Sequence, residues 1–198
     1  MKTNLNASIL AAGTALLLAS CSGNPASSNG TGNLISNPNF ILNGQPSLAG
    51  WQINDTAWVK VVSNAPPGAS TWSLWLLPPS GGPLPGGVAT TYITGGAGSG
   101  AYTLTLWEKN FATWYWGTIV IDQLRNGGTV STKLLDMRDT TWTQFTLSDT
   151  LDMQPSDTLR ISFYTGSLAV IAQHNSAPAI DTAISGCCFN QLRLTKAQ

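Results

Sequence analysis

Side chains that could act as acids, bases or nucleophiles are few in this sequence. Its 198 residues include one glutamate, Glu108, which strand alternation directs toward the core, and one histidine, His174, expected to be a solvated loop residue. Hydrolases that work with paired carboxyl groups hold them roughly 5 to 9.5 Å apart. The aspartates stand mostly beside turns, where they cap backbone amides. Nucleophile-elbow and zinc-binding patterns are missing from the sequence, so we predict no enzyme activity, no metal and no cofactor.

Charged residues are also scarce. Lys and Arg number 9, Asp and Glu number 9, and charged residues make up 9% of the chain, against about 25% in a typical soluble protein. The sequence has no Lys/Arg cluster of the kind that binds nucleic acid or anionic lipid headgroups. The composition therefore argues against both partners and leaves solubility to neutral polar groups.

Aromatic residues are abundant by comparison, with eight tryptophans. A flat ring packs against the C–H face of a sugar ring, while neutral amides, hydroxyls and arginine bond the sugar hydroxyls. Most tryptophans in a β-protein only fill the core, and we assign Trp51 and Trp72 to it. Trp75, Trp107 and Trp142 have the opposite parity from the inward residues of their strands, so each either fills a second packing layer or faces solvent.

The run T-W-Y-W-G at residues 113–117 holds three consecutive aromatic residues. Alternation cannot bury all three on one face of a strand, so at least one ring is expected at the surface or beneath a loop. Polar residues at outward strand positions accompany these rings, although each could be an exposed position without a ligand. The candidate ligand-binding residues are Trp75, Trp107, Lys109, Trp114, Trp116, Gln144, Arg160 and Tyr164.

The elements that must position these residues are β-strands. Apolar and polar residues alternate with strand period most clearly in residues 102–109. The same alternation recurs around residues 74–76, 144–147, 159–164 and 192–194. Turn clusters separate these segments, and Asn126-Gly127 is the strongest hairpin signal. No segment carries the sustained 3.6-residue repeat of apolar residues that indicates an amphipathic helix. The pattern therefore predicts an all-β sandwich or barrel.

Two motifs bracket the folded part of the chain. N-L-I-S-N-P-N-F occupies residues 33–40 and is followed by L-A-G-W ending at Trp51, while F-N-Q-L-R-L occupies residues 189–194. With the strands between them, these ends resemble the carbohydrate-binding-module branch of the galactose-binding-like β-sandwiches. The resemblance implies a jelly-roll β-sandwich of two antiparallel sheets. It also implies a ligand site either on an outward, concave sheet face or in the loops at one end, and the sequence does not choose between them.

The resemblance and the aromatic residues together suggest a non-catalytic module that binds a polysaccharide or other glycan by stacking and neutral hydrogen bonds. A module of a different class remains the alternative, in which the same rings contact a protein partner in an envelope assembly.

The resembling family often carries a structural calcium ion. Its acidic ligands follow the first-strand Phe and stand in the terminal F-D motif, and the matching residues of this chain are Ile41 and Asn190. Calcium prefers several oxygen ligands that include carboxylates. We therefore predict no calcium at this position.

The N-terminal residues have the pattern of a bacterial lipoprotein signal. Residues 1–20 contain an early lysine and an apolar stretch too short to span a bilayer. Cys21 is the expected lipidated residue, although an ordinary secretory signal with an incidental cysteine is the alternative. Residues 21–32 then form a lipidated cysteine with a flexible tether, and residues 33–198 form the sandwich. Ser22 resembles the pattern of export to an outer membrane, so we expect a lipid-anchored protein of the cell envelope.

Cys187 and Cys188 are the remaining cysteines. Adjacent strand residues point to opposite faces, and their Cα atoms lie about 3.8 Å apart, closer than ordinary disulfide geometry allows. A strained vicinal disulfide and a pair of thiols, one buried and one reactive or intermolecular, both remain open.

Overall fold

The computed structural model describes residues 32–78, 86–94, 98–111, 116–165 and 186–197. The strands of this part, in chain order, are β1 (Ile41–Leu42), β2 (Gln45–Pro46), β3 (Gln52–Ile53), β4 (Val59–Val62), β5 (Ser73–Leu76), β6 (Val88–Thr94), β7 (Gly100–Asn110), β8 (Gly117–Arg125), β9 (Gly128–Met137), β10 (Thr143–Leu151), β11 (Thr158–Thr165) and β12 (Cys187–Lys196).

Two five-stranded antiparallel sheets enclose the core. Sheet I has the order β10-β7-β12-β5-β4, sheet II has the order β3-β6-β11-β8-β9, and β1 pairs with β2 in a small ribbon. This arrangement confirms the predicted all-β sandwich of two antiparallel sheets. We call the outward surface of sheet I face I and that of sheet II face II.

Alternation decides which side chains reach the core. On β7, Tyr102, Leu104 and Leu106 are 3%, 1% and 1% exposed, and Glu108 follows them inward, as the sequence predicted. Residues at odd positions of β7 point outward onto face I. On β11, the residues at even positions point outward onto face II in the same way.

Four aromatic rings bridge the two sheets. Ring centroids are 5.3 Å apart between Phe40 and Trp51, 5.5 Å between Trp51 and Phe163, and 4.9 Å between Phe163 and Phe189. The core assignment of Trp51 is thereby confirmed. The core assignment of Trp72 was wrong, because β5 begins one residue later and the side chain of Trp72 is only half-buried.

The predicted Asn126-Gly127 hairpin is confirmed. It joins β8 to β9 with φ values of 51° and 81°, which are those that a tight turn with two left-handed residues requires. Asparagine and glycine tolerate this conformation better than other residues do.

The two ends of the folded chain bind one another. The Asn33 side chain donates to the Leu192 carbonyl at 2.9 Å and accepts from the Leu194 amide at 3.0 Å. Just before Leu192, β12 carries a bulge at Gln191, whose φ is 47°. Because the bulge shifts the register, Leu192 and Leu194 point into the core while Arg193 points outward.

Candidate functional site

One row of side chains crosses the middle of face II. Tyr92 on β6 lies opposite Arg160 on β11, Arg160 lies opposite Asp122 on β8, and Asp122 lies opposite Thr132 on β9. Residues directly opposite one another in antiparallel strands share a face and have neighbouring Cβ atoms. The four side chains therefore form a continuous row.

Arg160 is fixed within this row by Asp122. Its Nε and one terminal nitrogen donate to the same Asp122 oxygen at 3.0 and 2.7 Å, and the Thr132 hydroxyl donates to the other oxygen at 2.6 Å. The Arg160 side chain is 38% exposed, while Asp122 is 7% exposed. The hydrogen bonds to Asp122 raise the pKa of Arg160 further. A guanidinium has five N–H donors, so three of those of Arg160 have no partner among the described residues.

Two tyrosines flank this guanidinium. Tyr92 is 39% exposed and Tyr164 is half-buried. Both phenols lie close enough to contribute to the raised pKa of Arg160. Between the two tyrosines, the hydroxyls of Thr90 and Ser162 are 3.0 Å apart. Face II thus places a fixed cationic donor, two aromatic rings and neutral hydroxyls on one surface.

The predicted ligand-binding residues do not form one site. Arg160 and Tyr164 lie on face II, whereas four others lie on face I, on the opposite side of the sandwich. Those four are Trp75, Trp107, Lys109 and Gln144. The sequence prediction missed Tyr92 and Asp122, although both stand at outward positions of alternating segments, T-T-Y-I-T and V-I-D-Q.

On face I the predicted residues are neighbours. Gln144 lies opposite Trp107, and Lys109 and Trp75 both lie opposite Cys188. The Trp75 ring meets the Phe111 ring edge-on at 6.0 Å, and the Lys109 Nζ is 5.3 Å from the centroid of Phe111. Face I therefore also combines aromatic rings with a cation.

Trp116 is separate from both groups. It precedes β8 and is half-buried beneath Arg138, whose guanidinium carbon lies 4.3 Å from the ring centroid. Its indole nitrogen is buried without a hydrogen-bond partner in the described part of the chain. The stacked arginine covers one side of the ring and limits its use as a platform. Trp114, the other ring predicted in this run, lies outside the described residues.

Cys187 and Cys188 are free thiols, and the structure does not contain the vicinal disulfide that the sequence left open. They point to opposite faces of β12, and both are 0% exposed. Burial raises the pKa of each thiol well above its ordinary value, which keeps both in the unreactive protonated form. The structure therefore does not support the alternative in which one of these two cysteines is a reactive thiol.

Asn190 stands where the resembling family has an acidic calcium ligand. Its amide nitrogen is 3.1 Å from the Ser70 carbonyl, 2.8 Å from the Trp72 carbonyl and 2.9 Å from the Ser73 hydroxyl. The amide thus donates into a cluster of oxygens. Within the described ranges, no group of three or more His, Cys, Asp or Glu residues could hold a metal ion.

Glu108 is the most strongly perturbed carboxyl group of the described residues. It is 0% exposed between the sheets, and neither carboxyl oxygen has a hydrogen-bond partner among the described residues. Burial, with a smaller contribution from the nearby Asp139, raises the pKa of Glu108 to about 8, while the backbone N–H of Gly117 acts in the opposite direction. Enclosed in the core at 0% exposure, the Glu108 carboxyl group is not accessible to a substrate from solvent.

Cys21, the predicted lipidation site, and His174, the predicted loop residue, both lie outside the described residues. Over the ranges that are described, no helix has the length and apolar character needed to cross a membrane.

No protein-family model matches this sequence, and no curated protein is significantly similar to it. Solved structures do share its fold. TmCBM61 in complex with β-1,4-galactotriose has a TM-score of 0.53 and 13% identity, covering 83% of this chain and 99% of that one. A family 16 carbohydrate-binding module has a TM-score of 0.54 and 18% identity, covering 83% and 100%.

A third match is the enzymatically active domain of tailspike protein 4 from bacteriophage CBA120. Its TM-score is 0.59 and its identity 17% over 83% of this chain, which spans only 21% of that longer protein. At such low identities the likeness shows a shared fold and nothing further. The chain has the all-β sandwich fold found in carbohydrate-binding modules.

Proposed function

We propose that this protein is a non-catalytic glycan-binding module, anchored to a membrane by lipid on Cys21, and that a sugar chain lies on face II. The observation that carries the proposal is the fixed position of Arg160, held by Asp122 and flanked by Tyr92 and Tyr164. The fold shared with carbohydrate-binding modules supports it.

The chemistry of face II suits a polyhydroxylated ligand. Three N–H donors of Arg160 are available to sugar oxygens, and the ring of Tyr92 offers a flat apolar surface. Because the ion pair already orders the arginine side chain, binding loses less conformational entropy than it would with a mobile arginine. Neutral hydroxyls between the tyrosines supply further hydrogen bonds.

Isothermal titration calorimetry with neutral oligosaccharides tests the proposal. A β-1,4-galactan oligosaccharide is the first probe, since one structural neighbour binds β-1,4-galactotriose, and xylan, arabinan and β-glucan fragments complete the panel. Tyr92→Ala should weaken binding about two- to tenfold, as expected for an aromatic contact of roughly 0.5–1.5 kcal/mol. Val130→Ala is the control, because Val130 is 51% exposed on the edge strand β9, away from Arg160.

Four results would contradict this function. Absence of binding across the panel, or equal affinities of the Tyr92 variant and the wild type, would remove the glycan site from face II. Release of reducing ends from the polysaccharides would indicate a hydrolase. Copurification of a stoichiometric protein partner would favour the protein-interaction alternative.

The lipid anchor has its own test. Residues 22–32 would allow the sandwich to lie at most about 40 Å from the membrane when the tether is fully extended. Mass spectrometry of the mature protein should show acyl chains on an N-terminal Cys21, and Cys21→Ser should abolish them. An unmodified mature protein would support the ordinary secretory signal instead.

A further inference from the structure

Among the described residues, the charged side chains on face I are all cations. Its cations are Lys60 on β4, Lys109 on β7 and Arg193 on β12, and the strands of sheet I place no Asp or Glu on this face. The acidic residues of those strands, Glu108 and Asp149, stand at inward positions. The sequence did not predict this surface, because the three cations are far apart along the chain.

These cations have no carboxylate partners in the described part of the molecule. The ion pairs found there join Arg125 to Asp157, Lys133 to Asp149 and Arg160 to Asp122. Over the described strands, face II in contrast carries one cation, Arg160, which pairs with Asp122, and a second carboxylate, Asp136, which accepts from Thr118. The two faces of the sandwich therefore differ in sign of charge, and only face I has unbalanced positive charge.

Aromatic rings lie between the cations. Trp75 is opposite Lys60 on one side and opposite Cys188, the neighbour of Lys109, on the other. Three strand spacings separate Lys60 from Lys109, or about 14 Å. Trp107 lies two residues before Lys109 on β7 and shares its face.

This spacing favours an extended ligand. The cations do not converge on one point, so a single small anion could contact only one of them. A chain of acidic sugars could meet two or three, with its apolar ring faces against the half-buried indoles of Trp75 and Trp107.

We propose that face I is a second binding surface, specific for an acidic polysaccharide whose carboxylate or sulfate groups pair with Lys60, Lys109 and Arg193. The proposal does not depend on the neutral glycan site of face II, because the two surfaces share no residue. It assigns the outward-facing tryptophans and lysines of sheet I a common role.

Affinity electrophoresis and calorimetry with polygalacturonate test this surface. The fully methyl-esterified polymer is the matched neutral probe, because it keeps the sugar backbone and loses the charge. We expect binding of polygalacturonate that weakens as NaCl rises from 50 to 500 mM, where screening shortens the reach of surface charges. The esterified polymer should bind at least about tenfold more weakly, equivalent to about 1.4 kcal/mol.

Variants separate this surface from face II. The double substitution Lys60→Gln with Lys109→Gln should lower affinity for polygalacturonate about tenfold. Lys133→Gln is the control, since it removes one positive charge at the opposite edge of the sandwich, where Lys133 pairs with Asp149. Tyr92→Ala should leave polygalacturonate binding unchanged. Equal thermal unfolding of all variants would show that each is folded.

Several outcomes would overturn the proposal. The first is the absence of binding to both polygalacturonate and chondroitin sulfate. The second is equal affinity for polygalacturonate and its esterified form. The third is the same affinity for polygalacturonate in the double variant as in Lys133→Gln. Binding to phosphatidylglycerol vesicles without binding to either polysaccharide would identify face I as a membrane-docking surface and would also contradict it.

Discussion

Arg160 donates two hydrogen bonds to a single oxygen of Asp122, at 3.0 and 2.7 Å. The other oxygen of Asp122 accepts from Thr132 at 2.6 Å, so the carboxylate is held from both sides. Asp122 is nearly buried, whereas the Arg160 side chain is 38% exposed. The aspartate therefore holds the arginine in place, and the arginine is the residue of the pair that faces solvent.

Asp122→Asn should therefore lower stability. It weakens the charge-assisted bonds to Arg160, and we expect a loss of about 1–2 kcal/mol in the free energy of unfolding measured in urea. Asp149→Asn is the matched control, because its ion pair with Lys133 is partly exposed, with the two side chains 29% and 53% exposed, and surface pairs contribute about 0–1 kcal/mol. Equal losses of unfolding free energy in the two variants would show that the hydrogen bonds of Asp122 stabilise the fold no more than the Lys133–Asp149 ion pair does.

Glu108 should make the protein less stable as the pH rises from about 5 to 8. Burial raises the pKa of Glu108 to about 8 in the folded state, whereas an unfolded glutamate titrates near 4.3. Below the lower value both states are protonated and no penalty exists. Above it the unfolded state ionises first, so it binds fewer protons than the folded state and the free energy of unfolding falls with pH.

Glu108→Gln tests this linkage. The neutral amide cannot ionise, so the variant should show a flatter pH profile and exceed the wild type at pH 7 by on the order of 2 kcal/mol in unfolding free energy. Denaturant unfolding at half-unit intervals between pH 5 and 8 measures both effects. Parallel profiles for the two proteins would exclude Glu108 as the titrating group.

Much of the fold could be predicted from local alternation. The inward sets on β7, β11 and β12 follow the period of two, because one face of each strand meets the core and the other meets solvent. The hairpin at Asn126 was predictable since its two residues must adopt positive φ. The core assignment of Trp72 was wrong because the alternation was extended one residue before the start of β5.

The arrangement of the site could not be predicted in the same way. Alternation identifies Arg160 and Trp107 as outward residues, yet it does not reveal that their strands belong to different sheets. Strand order depends on long-range pairing, and no local pattern encodes that pairing. For this reason the sequence grouped residues from both faces and missed Tyr92, which becomes a neighbour of Arg160 only through the β6–β11 pairing.

Asp157 should determine stability at acid pH. Its carboxylate, fully buried, accepts hydrogen bonds from Arg125, Gln123 and the Gln154 amide. These bonds, led by that from Arg125, hold the pKa of Asp157 well below its usual range. The stabilisation is complete above pH 4 and is lost as the pH falls toward the folded-state pKa, because the unfolded state binds the proton first.

Asp157→Asn removes this titration while keeping the shape of the side chain. The variant should be less stable than the wild type at pH 6, since Arg125 and the amide donors of Gln123 and Gln154 lose a charged acceptor. The difference should shrink between pH 4 and 2. Asp152→Asn, an exposed position, is the control for general acid effects, and a constant difference across this range would contradict the assignment.

Asn190→Asp should convert a stable amide contact into a calcium-dependent one. The Asn190 nitrogen donates to the carbonyls of Ser70 and Trp72 and to the hydroxyl of Ser73. A carboxylate oxygen in its place would face the two carbonyl oxygens without a proton between them, which destabilises a buried group by about 1–3 kcal/mol. The same oxygens, with a carboxylate added, are the ligands that Ca²⁺ prefers.

Thermal unfolding of Asn190→Asp in EDTA and in millimolar calcium tests this relationship. The variant should unfold at a lower temperature than the wild type in EDTA and should recover part of the loss in calcium, because binding to the folded state alone stabilises it by mass action. The wild type should show no calcium-dependent shift, since its amide already satisfies the oxygens. A rise in the wild-type unfolding temperature with calcium would show that the wild type already binds the ion, and it would contradict the interpretation that the Asn190 amide takes the place of a cation.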